Sequence, residues 1–224
     1  WKGNIRFTPA MLFSIGMVST FISGGVTGII LADSALDINL HDTYFVVAHF
    51  HIVMGLSAVL AMYAGVYHWF PKMYGKMMNR KLGYAHFWLT FVSAYGVFFP
   101  QHFLGLAGMP RRYYSNSGFP MFDEFVSLNE LISVFAIVGA LAQFIFMFNF
   151  FYSMFRGPRA SQNPWGSNTL EWTTPVDPIH GNWPGPLPVV HRWAYDYSKP
   201  GKEHDFVPQT VPLEEGELDG GAGH

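Results

Sequence analysis

The chain contains no cysteine and little charge, and its first two thirds have few breaks in their apolar character. The absence of cysteine excludes disulfides, thiolate-held zinc and iron–sulfur clusters, leaving histidine, carboxylate and methionine as metal ligands. Charged residues make up 12% of the 224 positions, against 50% hydrophobic and 18% aromatic, and half of the charge lies in the last third. That division separates an apolar N-terminal part from a polar, proline-rich C-terminal part. No targeting segment is visible. The opening Trp1-Lys2-Gly3-Asn4-Ile5-Arg6 has no initiating methionine, so a portion of a longer protein is expected.

Four apolar stretches are present, at about 8–32, 43–70, 82–106 and 125–155. Each exceeds the roughly 20 residues that a helix needs to cross a bilayer. The fold expected is therefore an all-α membrane protein with four transmembrane helices in residues 1–156, followed by a loop-rich tail over 157–224. Gly24 and Gly28 have the small-xxx-small spacing that lets membrane helices approach closely. Lys72, Lys76, Arg80 and Lys81 fill the loop after the second stretch with no acid among them, which by the positive-inside rule makes that loop cytoplasmic. Lys2, Arg6, Arg156 and Arg159 fall on the same side, so both ends of the chain are expected in the cytoplasm. Arg111 and Arg112 break the pattern on the outer side. Their planar forks suit an anionic ligand group, or an ion pair with Asp123 or Glu124.

The second stretch opens on His41-Asp42-Thr43-Tyr44-Phe45-Val46-Val47-Ala48-His49-Phe50-His51. Ionisable groups at membrane depth are costly and point to function. Residues two apart on a helix project about 200° from each other, so His49 and His51 face opposite sides. A zinc site needs converging ligands; diverging imidazoles suit two haem irons, one on each side of the helix, roughly 12–15 Å apart. A histidine satisfied within the core is the bland alternative for either residue. His41 and Asp42 stand farther out beside Asp37, where they could bind a hard divalent cation or pair with the arginines. His68 and His86 are expected at interfacial depth in structural roles. His102 is expected to touch a cofactor edge or the neighbouring loop, with a structural role favoured. His180, His191, His204 and His224 belong to the polar tail.

The string from His41 to His51, together with Phe99-Pro100-Gln101-His102-Phe103-Leu104-Gly105-Leu106-Ala107-Gly108-Met109-Pro110-Arg111-Arg112-Tyr113, closely resembles subunit I of the haem–copper cytochrome c oxidases. The resemblance covers about 1–156, and Asn163-Pro164-Trp165-Gly166 with Thr169-Leu170-Glu171-Trp172 is similar to the tail of bacterial members. It implies that His49 is the axial ligand of the high-spin haem where oxygen binds and that His51 is an axial ligand of the low-spin haem. His41 and Asp42 would ligate magnesium. Asp37, Arg111 and Arg112 would surround the haem propionates and the proton exit region. Two haems of the A type, copper and magnesium are the cofactors implied, with the copper ligands, the cross-linked tyrosine and the second low-spin axial histidine lying outside this chain.

The four stretches then correspond to the last four of about twelve helices in subunit I. The partners implied are the N-terminal remainder of subunit I, subunits II and III, cytochrome c as electron donor and membrane lipid; no nucleic-acid partner is expected. The location implied is the bacterial plasma membrane, and the activity is reduction of oxygen to water coupled to proton translocation. One rival is a quinol oxidase of the same superfamily, which a copper-binding subunit II encoded alongside would disfavour. Another is a non-catalytic membrane protein, either a haem-binding anchor or a proton-relay transporter. A transporter would contain no haem. The acidic end Glu214-Glu215-Gly216-Glu217-Leu218-Asp219 reads as disordered.

Overall fold

A computed structural model describes residues 5–115, 118–175, 182–183, 185–195 and 207–213. Lys2, Pro178, Pro184, His180, His204, His224 and the acidic end at 214–219 fall outside them. The regular elements among the described residues are all helices, with no strand; the only β pairings among them are the isolated bridges Thr43 to Pro110 and Lys76 to Arg159.

Helix α1 is Pro9–Ala32, α2 Ser34–Leu40, α3 Tyr44–Phe50, α4 Ser57–Tyr74, α5 Arg80–Leu106 and α6 Val126–Arg156. A π-helical turn, His51–Leu56, joins α3 to α4, and a 3-10 turn, Pro120–Phe125, leads into α6. Four helical segments, Pro9–Ala32, Tyr44–Tyr74, Arg80–Leu106 and Pro120–Arg156, are long and apolar enough to cross a membrane. They match the four stretches read from the sequence. The second runs four residues beyond its expected end at 70, and the third starts two residues before 82.

Short polar side chains set the helix boundaries. Thr8 Oγ1 accepts from Met11 N at the start of α1, with Pro9 pre-set for the first turn. Asp33 ends α1 and begins α2 by accepting from Ala35 N at 2.9 Å and Leu36 N at 3.3 Å. Asn79 likewise accepts from Lys81 N and Leu82 N at the start of α5. Thr43 accepts from Phe45 N at 3.2 Å and donates its own hydroxyl to the Leu40 carbonyl at 2.7 Å, fixing the corner between α2 and α3.

The chain divides into two compact units. In the larger one, Phe7–His68 with Met78–Arg156, α5 packs on α6 and α3, and α1 packs on the π-turn. Glycine makes the closest approaches. A Cβ on Gly24 would fall 2.5 Å from Val53 N, and one on Gly105 would fall 2.1 Å from Phe45 N. The Gly24-x-x-x-Gly28 spacing therefore serves close packing, as read from the sequence.

The π-turn is not legible in the residues. Ser57 Oγ donates to the Ile52 carbonyl five residues back, at 3.1 Å, and shares a hydrogen bond of 3.0 Å with Thr20 Oγ1 of α1. His86 also departs from expectation. It is completely buried rather than interfacial, with Nδ1 3.2 Å from Tyr67 Oη and Nε2 3.4 Å from Gln143 Oε1.

In the smaller unit the described tail residues carry one short 3-10 turn, Leu170–Thr173, and gather around Trp69–Met77. Lys72 Nζ lies 5.3 Å from the Trp172 ring centroid and donates to the carbonyls of Glu171 and Thr174. Trp69 Nε1 donates to Glu171 Oε1. Arg192 is 8% exposed and donates to the Val211 and Pro212 carbonyls, each at 2.9 Å.

Candidate functional site

α3 carries His49 near its end, and the π-turn begins at His51. His49 Nδ1 is 2.9 Å from the Gly24 carbonyl and 3.0 Å from Thr27 Oγ1, both on α1. A carbonyl only accepts, so the neutral ring carries its proton on Nδ1 and presents a lone pair at Nε2. Gly28 makes room for the ring: a Cβ there would fall 2.9 Å from His49 Cε1. α1 thus fixes both the position and the tautomer of His49.

His51 reaches the same protonation pattern by a different route. Its Nδ1 is 2.9 Å from the Val47 carbonyl, one turn back on its own helix. The ring stacks on Phe98 of α5, with centroids 4.7 Å apart and planes 11° from parallel, and lies 4.2 Å from the Phe50 ring. His49 faces α1 and His51 faces α5, so the divergence read from the sequence is present. Neither Nε2 has a hydrogen-bond partner among the described residues. A ring nitrogen with a free lone pair, whose other nitrogen donates to a carbonyl, is the arrangement metal-bound histidines adopt, so both residues fit an axial role toward a haem iron.

The second group forms where the α2–α3 corner meets the loop after α5. Arg111 N donates to the Asp42 carbonyl at 2.9 Å, and Tyr44 N donates to the Met109 carbonyl at 3.0 Å, stapling the two segments together. The staple brings the side chains into register. Arg111 donates through Nε at 2.8 Å and through a terminal nitrogen to Asp42 Oδ1. His41 Nε2 lies 3.3 Å from the other oxygen, Oδ2. The Arg111 hydrogen bonds hold the Asp42 carboxyl below its ordinary pKa, aided by the charges of His41 and Arg112. Asp42 and Arg112 both adopt positive φ, 57° and 69°. Non-glycine residues held there cost energy that the surrounding contacts must offset.

Asp42 is therefore the partner of Arg111, and no ion pair joins either arginine to Asp123 or Glu124 among the described residues. Arg112 is exposed beside it, and Asp37 lies on α2 with no side-chain partner among the described residues. The side chains of His41 and Asp42 are 67% and 58% exposed, so water reaches this group freely. No cluster of three histidines or carboxylates suited to a metal is found among the described residues. His41 and Asp42 offer one nitrogen and a carboxylate already engaged by Arg111, which alone do not satisfy a hard cation that takes about six oxygen-rich ligands.

Known proteins are similar to this chain. Residues 1–142 match the family model described as cytochrome c and quinol oxidase polypeptide I. The alternative cytochrome c oxidase subunit 1 of Bradyrhizobium diazoefficiens is 47% identical over 98% of this chain and 38% of its own length. Cytochrome c oxidase subunit 1 of Thermostichus vulcanus is 46% identical over 88% of this chain and 35% of its own length. The chain thus spans little more than a third of the length of these two relatives. A haem–copper terminal oxidase dimer solved by cryo-electron microscopy shares the fold, with TM-score 0.59 and 20% identity over 68% of this chain and 28% of that one. On the family match and these two relatives, the chain belongs to the cytochrome c and quinol oxidase polypeptide I family.

Proposed function

We propose that this chain forms part of the catalytic subunit of a terminal respiratory oxidase, supplying His49 as axial ligand of the high-spin haem and His51 as an axial ligand of the low-spin haem. One observation carries the reading: two intramembrane imidazoles on opposite sides of one helix, each donating Nδ1–H to a carbonyl and each holding Nε2 free. A haem bound there supplies electron transfer and, at the His49 side, oxygen reduction. The chain's own contribution is to fix ring orientation and tautomer before any iron binds. α1 does so for His49 through the Gly24 carbonyl and Thr27; the Val47 carbonyl and Phe98 do so for His51. Preorganised ligands lower the ordering cost of binding.

The relatives' names favour cytochrome c over quinol as electron donor. The N-terminal remainder of subunit I supplies the copper ligands and the second low-spin axial histidine, and subunits II and III complete the enzyme. The loop lysines support a bacterial plasma-membrane orientation with both ends of the chain in the cytoplasm and Asp42 and Arg111 facing out. There Arg111, Arg112 and Asp37 border the haem propionates. His41 and Asp42 contribute to a magnesium site whose remaining ligands come from elsewhere.

The test is a complete oxidase carrying His49→Ala. It should lose the high-spin haem signature in its optical spectrum while keeping the low-spin bands. A normal high-spin spectrum would falsify the assignment.

A further inference from the structure

α5 carries two polar atoms that are buried without a hydrogen-bond partner among the described residues: Oε1 of Gln101 and Nε2 of His102. Each residue is 7% exposed. Buried polar atoms are nearly always bonded, so an unpartnered pair on adjacent residues requires a ligand of suitable chemistry. The other nitrogen of His102 decides what that chemistry is. Nδ1 lies 3.2 Å from the Phe99 carbonyl, which only accepts, so the neutral ring is protonated there and Nε2 is an acceptor. Gln101 Oε1 is an acceptor too. Both atoms need a donor, which excludes carboxylates and carbonyls and favours an O–H group.

The surroundings are closed to lipid. The His102 ring meets Phe45 of α3 edge-on, with centroids 4.9 Å apart. One turn farther along, Gly105 brings α5 against the Phe45 backbone so closely that a Cβ would fall 2.1 Å from Phe45 N. Buried acceptors on adjacent residues suit water, which brings two donor hydrogens and is held by about two to four polar partners.

We propose that the seam between α3 and α5 is a water-binding site, in which an ordered water donates to His102 Nε2 and Gln101 Oε1 is satisfied in the same way. The His102 ring meets Phe45 of α3, so the water stands beside the helix that carries the candidate ligands. The proposal rests on the fold alone and not on the assignment of irons to His49 and His51.

Two measurements on the complete oxidase test it, with haem content recorded alongside. A structure at a resolution that defines waters should show water density about 2.7–3.2 Å from His102 Nε2. Infrared difference spectra should contain a hydrogen-bonded O–H stretch that shifts in oxygen-18 water, persists in His102→Gln and is lost in His102→Leu. A cofactor group or a side chain at that position, no density, or an unchanged band in His102→Leu would overturn the proposal, even with a full haem complement. Should His102→Leu fail to assemble, the density in the unaltered enzyme decides.

Discussion

His41 with Asp42, and His49 with His51, lie in one short stretch of chain and follow opposite physics. The first pair is exposed, charged and joined to a distant loop through Arg111, so water and salt compete with every contact it makes. The second lies within an apolar span, where each imidazole has one backbone carbonyl as partner and little solvent to replace it. The outer pair can therefore be adjusted at small cost. The inner pair is fixed by its neighbours, and changes there should be severe.

The sharpest way to break the contrast is His51→Ala in the complete enzyme. It should remove the low-spin haem and cut total haem by about half, read by pyridine haemochrome assay. Retention of both haems would put His51 in the structural class with His86.

Next in size is Gly24→Ala, which forces a methyl into the Val53 backbone 2.5 Å away. Overpacking of this kind costs about 1–3 kcal/mol, seen as a lower Tm of the assembled protein. Gly25, where an added Cβ would meet nothing within 4 Å, is the control. Gly25→Ala should leave Tm unchanged or raise it through helix propensity worth up to about 1 kcal/mol. Equal losses at both positions would mean that the approach of α1 to the π-turn is not what the glycine protects.

A milder change is Thr27→Val, which removes the hydroxyl 3.0 Å from His49 Nδ1 while leaving the Gly24 carbonyl in place. The expected cost is about 0.5–1.5 kcal/mol, with a small shift of the high-spin bands and no loss of haem.

The smallest effect belongs to the outer pair. Asp42 has a folded-state pKa below its ordinary value, so its contribution is present above that value and is lost as pH falls through the lowered one. Stability should not vary with pH through this pair near neutral pH, and Asp42→Asn should matter only slightly, less so in high salt. A steep dependence on Asp42 near neutral pH, measured by thermal unfolding, would show that the outer pair is coupled to something buried.

Much of this contrast is legible in the residues. Long apolar runs reveal the four spans, and the spacing of His49 and His51 reveals their divergence, because both depend on local periodicity. The burial of His86 escapes such a reading because it depends on Tyr67 and Gln143, which reach it from α4 and α6. The residues leave Arg111 a choice between acids in its own loop and Asp42, and the staple between Arg111 N and the Asp42 carbonyl selects the acid 69 positions away. α2 and the π-turn are hidden for a related reason. A cap at Asp33 and a hydroxyl bond from Ser57 to Ile52 are single contacts that leave no periodic trace.

The π-turn also sets a phase. A wider turn takes up about one residue more than an α-helical one, so the side chains of α4 are rotated by about 100° from where an unbroken helix starting at Tyr44 would aim them. Substitutions within His51–Leu56 leave that offset intact, whereas deletion of one residue there would turn Tyr63 and Tyr67 away from Phe13 and His86 while leaving His49 where it is. In this segment, chain length is as much a specification as chemistry.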